Sequence, residues 1–219
     1  PIVMGWQWGG GWLAEIGFSD FAGSTLVHST GGAAALAGII LLGARNGRFD
    51  SKGEPKALKP FAASSIPLVT IGVFILWLGW FGFNGGSQLA LGTFDDAVAI
   101  STIFINTNLA ACGGVLAAGV ITRLMYGKTD VIQMLNGAIG GLVAITAEPL
   151  APSPFAAILI GAVGGLIVVF GTKLLFSFKL DDVVGAIPAH LFAGIWGTLA
   201  VPLTNTDANF SAQLIGDRK

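Results

Sequence analysis

The sequence predicts an all-α membrane protein that crosses the bilayer six times and carries one site assembled from two matching, oppositely directed halves. Three observations predict it. Hydrophobic residues make up 53% of the 219 and charged residues 11%, and the mean hydropathy of +0.78 exceeds what the surface of a water-soluble domain carries. Six apolar runs are long enough to cross a hydrocarbon core of about 30 Å. One pattern, DxxGxxxxHxxxG, occurs twice: as Asp20, Gly23, His28 and Gly32, and again as Asp182, Gly185, His190 and Gly194.

The six runs lie at 21–43, 62–83, 97–120, 131–148, 154–178 and 183–204, the fourth being short and rich in glycine. The first follows Asp20, a good helix cap, and ends before Arg45. Pro60 and Pro67 mark the start of the second, and Pro149, Pro152 and Pro154 separate the fourth from the fifth. Lys and Arg are retained in short cytoplasmic loops, so their positions set the direction of the chain. Arg45, Arg48, Lys52, Lys56 and Lys59 follow the first run, Arg123 and Lys128 the third, and Lys173 and Lys179 the fifth. Nine of the eleven basic residues therefore fall in alternate loops, while Glu15, Asp95, Asp96 and Glu148 fall on the other side. The N-terminal end is expected outside.

With that assignment the first run descends and the sixth ascends, so the two copies of the pattern are antiparallel. Halves related in this way place a shared site near the middle of the membrane. Each histidine lies eight residues beyond its aspartate, about 12 Å along a helix, entering from opposite faces, so the rings come within side-chain reach if the helices pack together. His28 and His190 are the only histidines. An ionisable group inside an apolar run is costly unless it faces a partner or a cavity, which marks both as functional candidates. If the sixth run closes a half made of the second to sixth, the first run closes the other half, and its four preceding helices are expected upstream.

Other features are assigned to structure. Gly31 with Gly32, Gly137 with Gly141 and Gly161 with Gly165 allow close helix packing. Asp20 and Asp182 stand at helix starts, where capping explains them and would aim the histidines. Trp6, Trp8 and Trp12 suit an interfacial aromatic belt as well as a site. Asn84, Asn106 and Asn108 are expected to satisfy backbone groups, and Asn209-Phe210-Ser211 is a short sequon match. Cys112 is alone, so it forms no disulfide within the chain. A metal site from the two histidines and two aspartates is excluded because each aspartate lies toward an opposite membrane face. No HExxH, CxxC or GxSxG string occurs, no cofactor is implied, and the net charge of -1 suggests no nucleic-acid partner.

The strings DFAGSTLVHSTGG at 20–32, GWFGFNGGS at 79–87 and DDVVGAIPAHLFAGIWG at 181–197 resemble the ammonium transporter family (Amt/Mep/Rhesus), and the likeness extends over essentially all of residues 1–219. The resemblance implies an eleven-helix, channel-like protomer of two inverted five-helix halves and a final helix. It also implies a homotrimer in the plasma (cell inner) membrane, transport rather than enzymatic activity, and contact with a cytoplasmic regulatory protein. By that comparison this sequence begins before the fifth helix and stops after the tenth, with no initiator Met at Pro1, so helices one to four and eleven are expected outside it. His28 and His190 match the family's pore histidine pair. Trp8 and Ser87 match its outer recruitment site for ammonium, Phe83 matches one of two gating phenylalanines, and Trp80 lines the pore beside it. Asp20 matches a supporting aspartate, with Asp182 its repeat partner.

The chemistry agrees with that resemblance. Ammonium and potassium differ little in size, but only ammonium can give up a proton, and a narrow apolar passage rejects whatever must stay charged. A neutral imidazole offers one donor and one acceptor, so two in sequence can pass hydrogen bonds along a file of ammonia. An ammonium sensor of the same fold and a Rhesus-like gas channel are the alternatives.

Overall fold

The computed structural model describes residues 1–49 and 61–204, and every regular element among them is helical. Lys52, Lys56, Lys59, Pro60, the sequon at Asn209, Arg218 and Lys219 lie outside the described residues. Two short helices, α1 (Ile2–Gln7) and α2 (Trp12–Glu15), lead to α3 (Ser24–Leu42), α4 (Ile66–Gly86), α5 (Phe94–Tyr126), α6 (Val131–Ile145), α7 (Pro154–Ser177) and α8 (Ile187–Thr204). Five of these are long and apolar enough to cross a membrane.

The sixth expected crossing, at 131–148, corresponds to α6, whose fifteen residues extend only about 22 Å. It need not meet lipid along its length, because it runs between α5 and α7 and every residue from Gly137 to Ile145 is buried. Glycine makes that burial possible. A Cβ on Gly137 would lie 2.6 Å from the Gly114 carbonyl oxygen of α5, and one on Gly164 of α7 would strike the backbone of Gly140. Gly161 and Gly165 of α7 meet the backbone at Ala110 and Gly114 in the same way, so these helices touch main chain to main chain.

Helix boundaries follow local capping more closely than hydropathy. Ser65, Thr93, Asp130 and Ser153 each accept a hydrogen bond from a backbone N–H of the first turn they precede. Around Thr93 the cap is reciprocal, with the Asp96 carboxylate returning to the Thr93 N–H at 3.1 Å. This starts α5 three residues before the expected 97, and α5 then runs on to Tyr126, 33 residues in all.

The outer faces of the helices are apolar. Leu68, Phe74, Ile75 and Leu78 project from α4 with more than half of each surface exposed. The buried core instead joins Val73 and Trp80 of α4, Ala111 of α5, Leu142 and Val143 of α6, Val168 of α7 and Ala189 and Ala193 of α8.

Candidate functional site

The repeated pattern occupies the same architecture twice. α3 and α8 both open with a π-helical turn, Ser24–Ser29 and Ile187–Phe192, and each contains its histidine. The Asp20 carboxylate accepts from the N–H groups of Gly23, Ser24, Thr25 and Leu26 at 2.8–3.1 Å. Asp182 accepts from Val184, Gly185, Ala186 and Ile187 at 2.7–3.3 Å. An N-terminal turn has several N–H groups without helical partners, and one carboxylate satisfies them at each site. Gly23 and Gly185 have φ of 112° and 78°, a left-handed conformation that glycine adopts without penalty.

The last glycine of each copy permits the crossing. A Cβ on Gly32 would lie 2.6 Å from the Leu191 backbone nitrogen, and one on Gly194 would collide with the Ser24 carbonyl and the Ser29 hydroxyl. The hydroxyls of Thr25 and Thr198 are 2.6 Å apart, and Ser29 donates to the Leu191 carbonyl at 3.3 Å. Early residues of α3 thus meet late residues of α8, and late ones meet early ones. The two helices are antiparallel.

At the crossing the rings of His28 and His190 face one another, with Nδ1 to Nδ1 at 3.2 Å and ring centroids 5.2 Å apart. A bond between like nitrogens requires one ring to donate and the other to accept. Trp80 also stacks on His28, at 4.9 Å and 16° between planes, and Phe83 leans against His28 at 5.3 Å. His28 is 9% exposed, and its Nε2 has no hydrogen-bond partner among the described residues. Both histidines line a cavity of about 220 Å³ with Val27, Gly31, Gly32, Ala35 and Ala186. Its remaining walls are aliphatic.

Trp8 lies at the Asp20 end. Its indole N–H donates to the Asp20 carbonyl at 2.9 Å while the residue as a whole stays 46% exposed, so with the N–H committed the ring face is what it can offer a ligand. Ser87 caps the C-terminus of α4 and donates to the Phe83 carbonyl at 2.8 Å, leaving oxygen lone pairs as acceptors. No bond links Trp8 to Ser87 directly. The structure brings His28, His190, Trp80 and Phe83 into one cluster, holds Asp20 and Asp182 behind its backbone, and leaves Trp8 and Ser87 nearer its margin.

Thr107 and Thr146 carry no sequence expectation, and Asn84, expected to satisfy backbone groups, instead bonds side chain to side chain: all three are fully buried behind Trp80, with Asn84 joining Thr107 to Thr146; their signal is a polar residue inside an apolar run. Asn106 donates to the carbonyls of Pro149 and Pro152, as expected of a residue that satisfies backbone groups. At the other end of α3, Asp181 pairs with Arg45 at 2.6 Å and Arg48 at 3.2 Å. The Arg45 hydrogen bond holds the Asp181 carboxyl down to about 2 although burial opposes this, and Asp181 in turn raises Arg45. No three His, Cys, Asp or Glu side chains converge as a metal site among the described residues.

Comparison with known proteins covers the whole site. The profile of the Ammonium Transporter Family matches residues 1–217. A putative ammonium transporter of Synechocystis sp. is 46% identical over 220 residues, covering 99% of this chain and 49% of that protein. Ammonium transporter Amt2 of Archaeoglobus fulgidus is 46% identical over 211 residues, covering 92% of this chain and 44% of that protein. Among solved structures, one titled Sensor Amt Protein superposes with a TM-score of 0.85 at 35% identity, covering 93% of this chain and 50% of that one. Candida albicans Mep2 superposes with a TM-score of 0.81 at 31% identity, covering 95% and 44%. The chain spans about half the length of the curated relatives it matches.

Proposed function

Because this chain belongs to the Ammonium Transporter Family and is a multi-pass membrane protein, we propose that it supplies the central part of a passage for ammonium-derived nitrogen, with His28 and His190 as its shared polar element. The observation that carries this is the coupled ring pair in an otherwise apolar cavity, with His28 Nε2 left unpartnered. Since the Nδ1 atoms bond to each other, the Nε2 atoms are the ring nitrogens left over for a ligand, and that of His28 is buried with no partner among the described residues. In either tautomer one Nε2 is an acceptor and the other a donor. A neutral amine, which both donates and accepts, meets both needs.

A potassium ion can do neither. It has no proton to leave behind, and the cavity offers no carboxylate to offset its charge, so its desolvation is uncompensated. Ammonium escapes that cost by leaving its proton near the entrance and crossing as ammonia. The Trp8 ring and the Ser87 hydroxyl, at the outer end, suit transient recruitment of the cation through a cation–π contact and a hydrogen bond, while Phe83 and Trp80 bound the way to His28. Asp20 and Asp182 act through the backbone turns that aim the rings.

Transport in proteoliposomes with ammonium or potassium gradients tests the reading. His28→Ala and His190→Ala should each lower ammonium-driven current or proton uptake at least tenfold or admit potassium. An undiminished, potassium-excluding current in the double variant would refute it. A location in the plasma membrane with the N-terminal end outside, a trimeric assembly and a cytoplasmic regulator belong to the same proposal, supported by the alternate placement of basic residues and by the family. The superposition on a protein titled as a sensor favours one second reading, in which the same site reports ammonium. Saturable ammonium binding with no flux would select it.

A further inference from the structure

The indole of Trp80 lies flat on His28, and its orientation is fixed from behind by one residue. Trp80 Nε1 donates to the Thr146 hydroxyl at 2.9 Å, and an indole N–H can only donate, so the direction of this bond is unambiguous. The hydroxyl passes its own proton to the Leu142 carbonyl at 2.7 Å or to Asn84 Oδ1 at 3.2 Å. Asn84, one helical turn beyond Trp80 on the same face of α4, donates in turn to the Thr107 hydroxyl at 3.0 Å. Trp80 is 6% exposed, and Asn84, Thr107 and Thr146 are 0% exposed.

Thr146 also holds the other ring's support. Its carbonyl accepts from the Ala22 N–H at 3.0 Å, and the neighbouring Val143 and Ala147 carbonyls accept from the Ser24 hydroxyl at 2.6 Å and the Phe21 N–H at 2.7 Å. These bonds fasten the segment that leads into the π-turn bearing His28. One residue at the end of α6 thus touches both members of the stack, by its side chain for Trp80 and by its backbone for the approach to His28.

We propose that Thr146 is a positioning residue for the histidine pair: its hydroxyl keeps the Trp80 indole parallel to His28, closing that face of the ring to water and to hydrated cations. This rests on the transport reading only for its consequence, not for its geometry. Thr146→Val has the same shape but no acceptor. The indole N–H is then buried without a partner, and the ring tilts to find one. Thr146→Ser restores the acceptor without the methyl group.

Two readouts separate the possibilities. In nanodiscs with isotope-labelled Trp and His, hydrogen exchange at Trp80 Nε1 should be slow in the wild type and Thr146→Ser and at least tenfold faster in Thr146→Val. The ring-current displacement of the His28 carbon-bound ring protons should collapse only in Thr146→Val. In proteoliposomes, the potassium-to-ammonium current ratio should rise at least tenfold in Thr146→Val and stay within twofold in Thr146→Ser. Trp80→Phe keeps a ring over His28 but has no N–H, so adding Thr146→Val to it should leave the His28 resonances where Trp80→Phe alone puts them. If Thr146→Val does not assemble, Thr146→Ala replaces it in every arm. Unchanged exchange and His28 shifts in the valine or alanine variant, equal loss in Thr146→Ser, or an undiminished further effect in the Trp80→Phe background would each overturn the proposal. A wild-type protein that carries no ammonium would sink the transport reading while the resonance measurements still decide the role of Thr146.

Discussion

At the scale of single residues, Trp8 separates two kinds of contribution. Its indole N–H is committed to the Asp20 carbonyl, whereas the residue as a whole is almost half exposed. A cation–π contact is worth about 0.5–1 kcal/mol when exposed and about 2 kcal/mol when desolvated, so removing the ring of this half-exposed residue from the proposed recruitment site should raise the half-saturating ammonium concentration roughly 2- to 30-fold, the upper end requiring desolvation, with little effect on maximal flux. Trp8→Ala measured against Trp8→Phe in uptake assays tests this, since both lose the N–H and only the alanine loses the ring. Phenylalanine should remain within about threefold of wild type. An equal penalty from both variants would mean that the indole hydrogen bond, not the aromatic face, is what matters.

At the scale of elements, the capped π-turn is the unit that recurs. The Asp20 carboxylate shares four N–H donors between two oxygens. Asparagine would keep one oxygen and turn an NH₂ group toward two of those donors. Asp20→Asn should therefore cost about 2 kcal/mol or more, at the upper end for helix caps, and Asp182→Asn less because that side chain is half-buried. Thermal unfolding in detergent should rank the variants in that order. Much of this element was readable beforehand: the aspartate, the two glycines and the histidine recur at fixed spacing, and both the antiparallel meeting and the ring contact followed from loop charges and helix rise. The π-turns themselves were not, because a one-residue change of helical register leaves no mark in an apolar run. Nor was the burial of α6. Its glycines announced close packing, but only the three-dimensional arrangement shows the stretch from Gly137 to Ile145 buried against neighbouring helices. The Thr146 network joins residues from three helices, and a threonine and an asparagine in separate apolar runs give no sign of being partners.

At the scale of the whole molecule, the two histidine-bearing helices are tied at both ends of their crossing. Near Asp20 the tie is backbone and hydroxyl bonds to the end of α6; at the far end, Asp181 binds Arg45 and the buried Arg48, whose guanidinium also lies 4.6 Å from the Phe176 ring centre. The folded Asp181 carboxyl titrates at about 2, below the ordinary carboxylate value of about 4. A depressed folded value stabilises the native state above the unfolded value and loses that contribution as pH falls toward the folded one. The stability gap between wild type and Asp181→Asn should hold from about pH 5 to pH 7, narrow below about pH 4 and close near pH 2. Unfolding midpoints measured across that range check it, and a gap independent of pH would assign the loss to packing instead. The duplicated pattern has a consequence for its own two copies. The same thirteen-residue instruction, read in opposite senses, shapes both backbone turns, yet only the first copy has its ring packed against Trp80 and Phe83. Matched substitutions in the two copies therefore meet unequal surroundings, and the twinned backbone carries an unequal pair of side-chain environments.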